Sequence, residues 1–411
     1  MSNDYVKGVL AHALRFFSWD LLSIIIAAIG SIVLSRVLGP TDRGILAVTA
    51  SFCGVAAIVS IMGTNASFRS LHPRRLASVR SYFLAIRWLA PIAGLATLIV
   101  VPVSLGVMTG QPFQVGLVIG AVLLAGTNLL SLAILDASKA AGQLTLSSRV
   151  DALGALLSTS LIIAAPPAIG SPSLYVWCYV IGYALRIALG VVFLRPQLIG
   201  TERAVPEEAT RVRAQGRRFM GFSIGQHLTT QSETYFVGIA TGATGAGLYS
   251  VATTIAGLLK MPAAAVGQIL NLESAHGRLD WRRLRLFVLI SFAITAIGAT
   301  VAYAISEPLI LFVFGSEFAD SVAVLRVLLI AQVMFAPYPL VSRALAGHGE
   351  TRAISITGVA SAVASAALIF TLGAQWGVIG AAAASVITYT AISLTVLLVA
   401  WRTFRRVSTD D

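Results

Sequence analysis

Long apolar stretches, divided by short polar or glycine-bearing breaks, run through most of this chain. A helix that crosses a hydrocarbon layer needs about 20 predominantly apolar residues. Read on that scale, the pattern predicts twelve spans, near 17–38, 45–68, 82–104, 113–137, 146–166, 173–194, 219–241, 246–270, 286–306, 321–342, 353–373 and 378–400. A polar stretch at 195–218 separates the first six from the second six. The expected fold is an all-α polytopic membrane protein. Its domains are a six-helix lobe over 1–200, a solvated cytoplasmic linker over 201–218, and a second six-helix lobe over 219–411.

The two halves also echo each other. At an offset of 203 residues, Gly39 meets Gly242, Thr41 meets Thr244, Gly44 meets Gly247 and Val48 meets Val251. The same offset places Arg75 on Arg278, Leu76 on Leu279 and Arg80 on Arg283. Each glycine pair suits a tight turn between spans. Further on, Gly142 suits Gly349 at an offset of 207, which implies a longer connection around Glu307–Asp320 in the second half. Six is an even number of spans, so the halves share one orientation. Such a parallel repeat implies two lobes about an axis along the membrane normal, with a central cavity.

Composition supports this reading. Hydrophobic residues make up 57% of the 411 residues and charged residues 11%, whereas a soluble domain carries about 25% charged residues. A cytosolic enzyme is therefore excluded. The net charge is +12, with 26 Arg against 3 Lys. Apart from Arg36, Arg43, Arg326, Arg186 and Lys260, every Lys and Arg falls in the termini, the central stretch or alternate connections. That distribution obeys the positive-inside rule and places both termini in the cytoplasm. The basic excess then needs no nucleic acid. Cys53 and Cys178 lie far apart in apolar runs and read as small buried hydrophobes, with no metal or redox spacing. Lys7 and Arg15 precede a long apolar run, which reads as a retained first helix.

The segment 18–52, "SWDLLSIIIAAIGSIVLSRVLGPTDRGILAVTASF", resembles the opening of the polysaccharide transporter family of Wzx-type oligosaccharide flippases. So do "ATGATGAGLYSVATTIAGLLKMPAAAVGQIL", "EPLILFVFGSEFADSVAVLRVLLIAQV", "ALAGHGETRAISITGVASAV" and "GVIGAAAASVITY" in the second half. The resemblance implies a member of the multidrug/oligosaccharidyl-lipid/polysaccharide exporter superfamily, not an enzyme. Its implied work is to turn a polyprenyl-diphosphate-linked oligosaccharide across the bacterial plasma (inner) membrane by alternating access. A polysaccharide polymerase and glycosyltransferases are the implied partners, and no cofactor is expected. A multidrug or small-metabolite exporter of the same superfamily is the alternative. A membrane glycosyltransferase would need an acidic catalytic loop, and Glu202, Glu207 and Glu208 are instead interleaved with arginines.

Within that reading, an anionic diphosphate calls for Arg or Lys in membrane-embedded positions. The substrate-binding candidates are Arg186 and Lys260, inside apolar runs, with Arg36 and Arg326 near the outer span ends. Each has a plainer role as a partner of a carboxylate or as an interface anchor. Glu233 sits in a dense polar run, with Gln226, His227, Thr230 and Gln231 as cavity-lining candidates. It is the ion-coupling candidate, for H+ or Na+, or else a structural hydrogen-bonding group. Pro262, Pro337 and Pro339 remove backbone donors and are the candidate hinges, or else static kinks. Tyr235, Tyr249 and Tyr338 are candidates for stacking on sugar rings, with a packed helix aromatic as the commoner role.

Overall fold

The computed structural model describes residues 3–110, 114–166, 170–198, 204–275 and 279–407. No strand occurs among these residues, and the helices group into twelve rods. The run Asn3–Ile61 breaks at Gly39 into α1 (3–38) and α2 (40–61), which continues after a turn into Thr64–Leu71. Helix α3 comprises Val79–Ile86 and Leu89–Thr109. Helices α4, α5 and α6 are Val115–Ala140, Leu144–Ala164 and Pro172–Leu198. Helix α7 comprises Pro206–Gln231 and, past Ser232, residues 233–241. Gly242 breaks it from α8, which runs through 243–257, the 3-10 turn Leu258–Lys260 and Met261–Ala275. Helix α9 is Trp281–Ala304. The longer connection expected next holds a short helix, Ser306–Val313, and a 3-10 turn, Ser316–Phe318. Helix α10 comprises Ser321–Phe335 and Pro337–His348. The run Thr351–Val407 breaks at Trp376 and Gly377 into α11 (351–375) and α12 (378–407).

Among the described residues, 8 helical stretches are long and apolar enough to cross a bilayer. Two are very long: Ser18–Ile61 with 44 residues and Arg352–Arg405 with 54. A straight helix of such length would extend roughly 65–80 Å, more than twice a hydrocarbon core. Each therefore has to break, and does so at a glycine. Gly39 has φ 66° and ψ 177°, and Gly242 has φ 82° and ψ 178°. A residue with a Cβ is strongly disfavoured there. Pro40 then opens α2, where its missing N–H would have had no helical partner.

Side-chain size sorts inside from outside. Val103, Ile297 and Val363 are among many large apolar residues that stand exposed, as suits contact with lipid. The buried positions are rich in Ala, Ser and Thr. Small residues let helix axes approach closely where lipid supplies no hydrophobic drive to associate. Several hydroxyls stay satisfied inside their own helix, as Thr97 donates to the Ala93 carbonyl at 2.8 Å and Ser138 to Ile134 at 2.6 Å.

The chain forms two compact units. Unit 1 contains residues 1–38, 49–106 and 110–220; unit 2 contains 221–411 together with 39–48 and 107–109. In unit 1, α6 packs on α4 and α5. A Cβ at Gly120 would come 2.9 Å from Val176, and one at Gly182 would come 1.9 Å from the Ser158 hydroxyl oxygen.

Unit 2 contains both copies of the glycine motif, and they meet reciprocally. Thr41 and Thr244 share a 2.9 Å hydrogen bond between their hydroxyls. A Cβ on Gly44 would lie 1.7 Å from the Ala243 carbonyl oxygen, and one on Gly247 would lie 1.9 Å from that of Pro40. The repeat read in the sequence is thus also a packing motif.

Helix α7 begins in the stretch read as a solvated linker. Pro206 suits the first helical turn, as do the carboxylates of Glu207 and Glu208. This first part docks on the 70–81 connection of unit 1. Glu208 accepts from the Ser78 amide and hydroxyl, both at 2.9 Å. The Val205 amide donates to the Ser81 hydroxyl at 2.9 Å, and Gln215 donates to that of Ser70 at 3.0 Å. Burial alone would raise the Glu208 carboxyl. The Ser78 amide, the Ser81 and Ser78 hydroxyls and the Arg211 charge outweigh it and hold the group below the usual carboxylate range.

The Gly44 crossing leaves no room for a side chain. Gly44→Ala is expected to lower stability by about 1–3 kcal/mol or more, since only helix displacement relieves the overlap. Gly126→Ala, with open space around it, should be neutral or gain up to about 1 kcal/mol of helix propensity. Thermal unfolding of the purified variants in detergent compares the two.

Candidate functional site

Glu233 sits at the junction of the two segments of α7. Ser232 joins the two segments: its amide and its hydroxyl both donate to the Leu228 carbonyl, and its own carbonyl accepts from the Phe236 amide at 3.0 Å. The next residue, Glu233, starts a fresh helical segment and is only 4% exposed. Its Oε2 accepts from the Tyr249 hydroxyl of α8 at 2.9 Å. That hydroxyl lies 2.9 Å from the Ser385 hydroxyl of α12. The other oxygen, Oε1, has no hydrogen-bond partner, although Tyr389 and Lys260 act on the carboxyl group from nearby. Three helices of unit 2 thus converge on one buried carboxylate.

Lys260 ends the 3-10 turn inside α8 and is half-buried. Its Nζ lies 5.3 Å from the Phe335 ring centroid and 5.4 Å from that of Tyr389. Aromatic faces stabilise an ammonium through their quadrupoles. Lys260 and Glu233 therefore share one cluster, with Tyr389 touching the influence of both.

Arg186 of α6 belongs to unit 1 and to a different cluster. Its guanidinium lies 3.0 Å from Asp151 of α5 and 5.0 Å from the Tyr183 ring centroid. The second Asp151 oxygen accepts from Ser23 of α1 at 2.9 Å. Gly154 makes space for this arrangement, because a Cβ there would lie 2.6 Å from the Arg186 Nε.

Arg326 of α10 donates through Nε to the Ser306 hydroxyl at 3.0 Å. It lies 3.9 Å from Glu307 and 5.0 Å from the Tyr303 ring centroid. It also lines a pocket of about 510 Å³ with Glu307, Asp320, Trp376 and the apolar Leu248 and Ile379. Arg36 is exposed on α1.

Gln231 is exposed near the Ser232 junction. The side chains of Gln226, His227 and Thr230 lie outside the described residues. Pro262 is the second residue of the helical segment Met261–Ala275, just past the 3-10 turn. Pro337 opens the second segment of α10, with Pro339 two residues on. The interruption at Ala336 is where the sequence places a proline-dependent bend. Tyr249 and Tyr338 are fully buried, so neither offers a free face for a sugar ring, and both take the plainer role of packed helix aromatics. Tyr249 instead spends its hydroxyl on Glu233.

Several partners are not readable from linear spacing: Asp151, Ser23, Ser385 and Tyr389. One available signal was the lone acid in each apolar run. Asp151 in α5 is such a residue, and so is Asp136 in α4, which accepts from Asn65 at 3.0 Å and lies 3.8 Å from Arg69. A carboxylate in a membrane-spanning helix requires a partner.

The polysaccharide biosynthesis protein family matches residues 9–270. The chain belongs to that family. No curated protein matches it in sequence. Among solved structures, the lipid II flippase MurJ in an inward closed conformation is similar with a TM-score of 0.76 at 12% identity, over 94% of this chain and 87% of that one. An inward-facing multidrug resistance MATE family transporter of the MOP superfamily gives 0.71 at 15% identity, over 97% and 99%. An outward-facing transporter of that MATE family gives 0.64 at 14% identity, over 97% and 96%. This family member therefore has the fold of MOP-superfamily transporters and is a multi-pass membrane protein.

The Arg186–Asp151 pair makes a direct prediction. Asp151→Asn leaves a guanidinium without its counter-charge and should cost on the order of 3 kcal/mol. The double variant Asp151→Leu with Arg186→Met should recover most of that loss. A double-mutant cycle of unfolding midpoints measures it, and additive losses would contradict the pairing.

Proposed function

We propose that this protein moves a polyprenyl-diphosphate-linked oligosaccharide across a bacterial plasma membrane by alternating access, supplying cell-surface polysaccharide assembly. The observation that carries this reading is the polysaccharide biosynthesis family match, on a fold that transporters share. Both termini face the cytoplasm, on the side that holds nearly all the basic residues. No covalent chemistry is involved. The protein's task is to shelter a charged, hydrated head while the lipid tail stays in the bilayer.

The embedded cations divide this work. Lys260 and Arg326 keep donor capacity toward a phosphate, Arg326 beside its pocket. Arg36 lies near the outer end of α1. Arg186 contributes positive potential while it holds Asp151, and it reaches a phosphate directly only by leaving that partner. Gln226, His227, Thr230 and Gln231 offer polar lining along α7. Pro262, Pro337 and Pro339 are the pivots, supported by the helical interruptions beside them.

Glu233 is the coupling group, and H+ or Na+ is the ion. Its support is geometric: a carboxylate oxygen buried without a hydrogen-bond donor, close to a lysine and two tyrosine hydroxyls. A small-metabolite exporter is the competing reading, supported by the likeness to MATE transporters.

Proteoliposomes loaded with polyprenyl-diphosphate oligosaccharide test the substrate. Folded protein should deliver it to the opposite leaflet well above the rate of empty liposomes. Efflux of drugs without lipid-sugar transfer would favour the exporter. In the same vesicles, Glu233→Gln should abolish acceleration by a proton or sodium gradient while substrate binding persists. Unchanged gradient dependence would remove Glu233 from the coupling role.

A further inference from the structure

Unit 1 assembles a basic surface from two distant segments. The connection 69–88 contributes Arg69, Arg74, Arg75, Arg80 and Arg87, and contains no acidic residue. The first part of α7 adds Arg211, Arg213 and Arg217. The hydrogen bonds of Ser78 to Glu208, and of Val205 to Ser81, hold the segments together. Arg211 completes the clamp by donating to the Leu76 carbonyl at 3.4 Å, one residue from Arg75. Arg74, Arg75 and Arg211 are all exposed.

A topology signal accounts for arginines on this side of the membrane, but it does not account for their fixed arrangement. Arg75 has φ 57° and ψ 29°, a left-handed conformation that glycine adopts at lower cost. The turn is pinned by the Arg75 amide bonding to His72 at 2.9 Å and the Leu76 amide to Leu71 at 3.1 Å. A long cationic side chain is thus carried at a position where the backbone alone would favour none.

Apolar neighbours place the patch at the level of headgroups. Leu76, between the arginines and the clamp, is 40% exposed. Trp88 is 64% exposed, with the Arg87 guanidinium 5.4 Å above its ring. Trp88 stands at the junction of the two segments of α3, and exposed tryptophan is enriched at membrane–water interfaces. Guanidinium forks match phosphate oxygens better than a point charge does.

We propose that Arg74, Arg75 and Arg211 form a docking site for the phosphate of an anionic bilayer phospholipid, with Leu76 and Trp88 seated against its acyl chains. The site shares no residue with the Glu233 and Arg186 clusters and does not depend on what the protein transports. Anionic lipid held there stabilises the clamp between the 69–88 connection and α7.

Native mass spectrometry of the full-length protein, with phosphatidylglycerol or phosphatidylcholine added to the micelles, tests this. The wild type should retain phosphatidylglycerol selectively. The double variant Arg75→Gly, Arg211→Gln should retain it roughly thirtyfold less. Glycine suits the positive φ, so the turn itself is preserved. Arg74→Gln, which leaves the turn's hydrogen bonds intact, repeats the test should the double variant be unstable. Arg402→Gln, exposed at the far end of α12, should change nothing. Three results would overturn the proposal: wild-type retention by both patch variants, equal loss in Arg402→Gln, or pyrophosphate alone being retained as tightly as the lipid.

Discussion

A bilayer core offers no hydrogen-bond partner to a backbone amide or carbonyl, and every other feature of this protein answers to that constraint. The described chain is helix from end to end of each rod, and the ladder is interrupted at few places. Gly39, Gly242 and Gly377 permit backbone that other residues resist. Ser232 keeps its ladder contact to Leu228 and adds a hydroxyl bond to the same carbonyl. The 3-10 turn at Leu258–Lys260 tightens the helix without leaving it. Each interruption stands beside something of interest: the glycine crossing, Glu233, or Lys260.

The same low-dielectric surroundings govern the charges. Glu233 is buried and Arg186 and Lys260 are half-buried, and each acquires neighbours from other helices. The solutions differ in kind. Arg186 has a direct carboxylate, fixed in turn by Ser23. Glu233 has a tyrosine hydroxyl on one oxygen and nothing on the other. Lys260 has ring faces. A complete pair resists change, because separating it exposes two charges. A carboxylate with a spare oxygen and a lysine on aromatic faces are less committed, and the coupling role proposed for Glu233 rests on that difference.

The fold was largely legible before any coordinates. Apolar run length fixes helices in a membrane, so the spans and the breaks near Gly39 and Gly242 could be read directly. The recurring 203-residue offset marked residues that also proved to pack together. The site was legible only in part. Rare embedded charges stand out in an apolar sequence, which exposed Arg186, Lys260 and Glu233. Their partners did not, because Asp151, Ser385 and Tyr389 lie on other helices, and linear spacing carries no information on which faces meet. The docking of the first turns of α7 is illegible in the sequence for a related reason. Interleaved Glu and Arg look solvated, yet the Ser78 amide and hydroxyl needed only one of those carboxylates to anchor the segment.

The Thr41–Thr244 contact has an ancestral implication. Each threonine meets its own counterpart, and the flanking glycines exchange equivalent approaches to Ala243 and Pro40. Self-matching of this sort is how identical surfaces join across a dyad. A half-length, six-span polypeptide would make the same seam on pairing with a second copy. Gene fusion would then have inherited a contact that symmetry had already supplied.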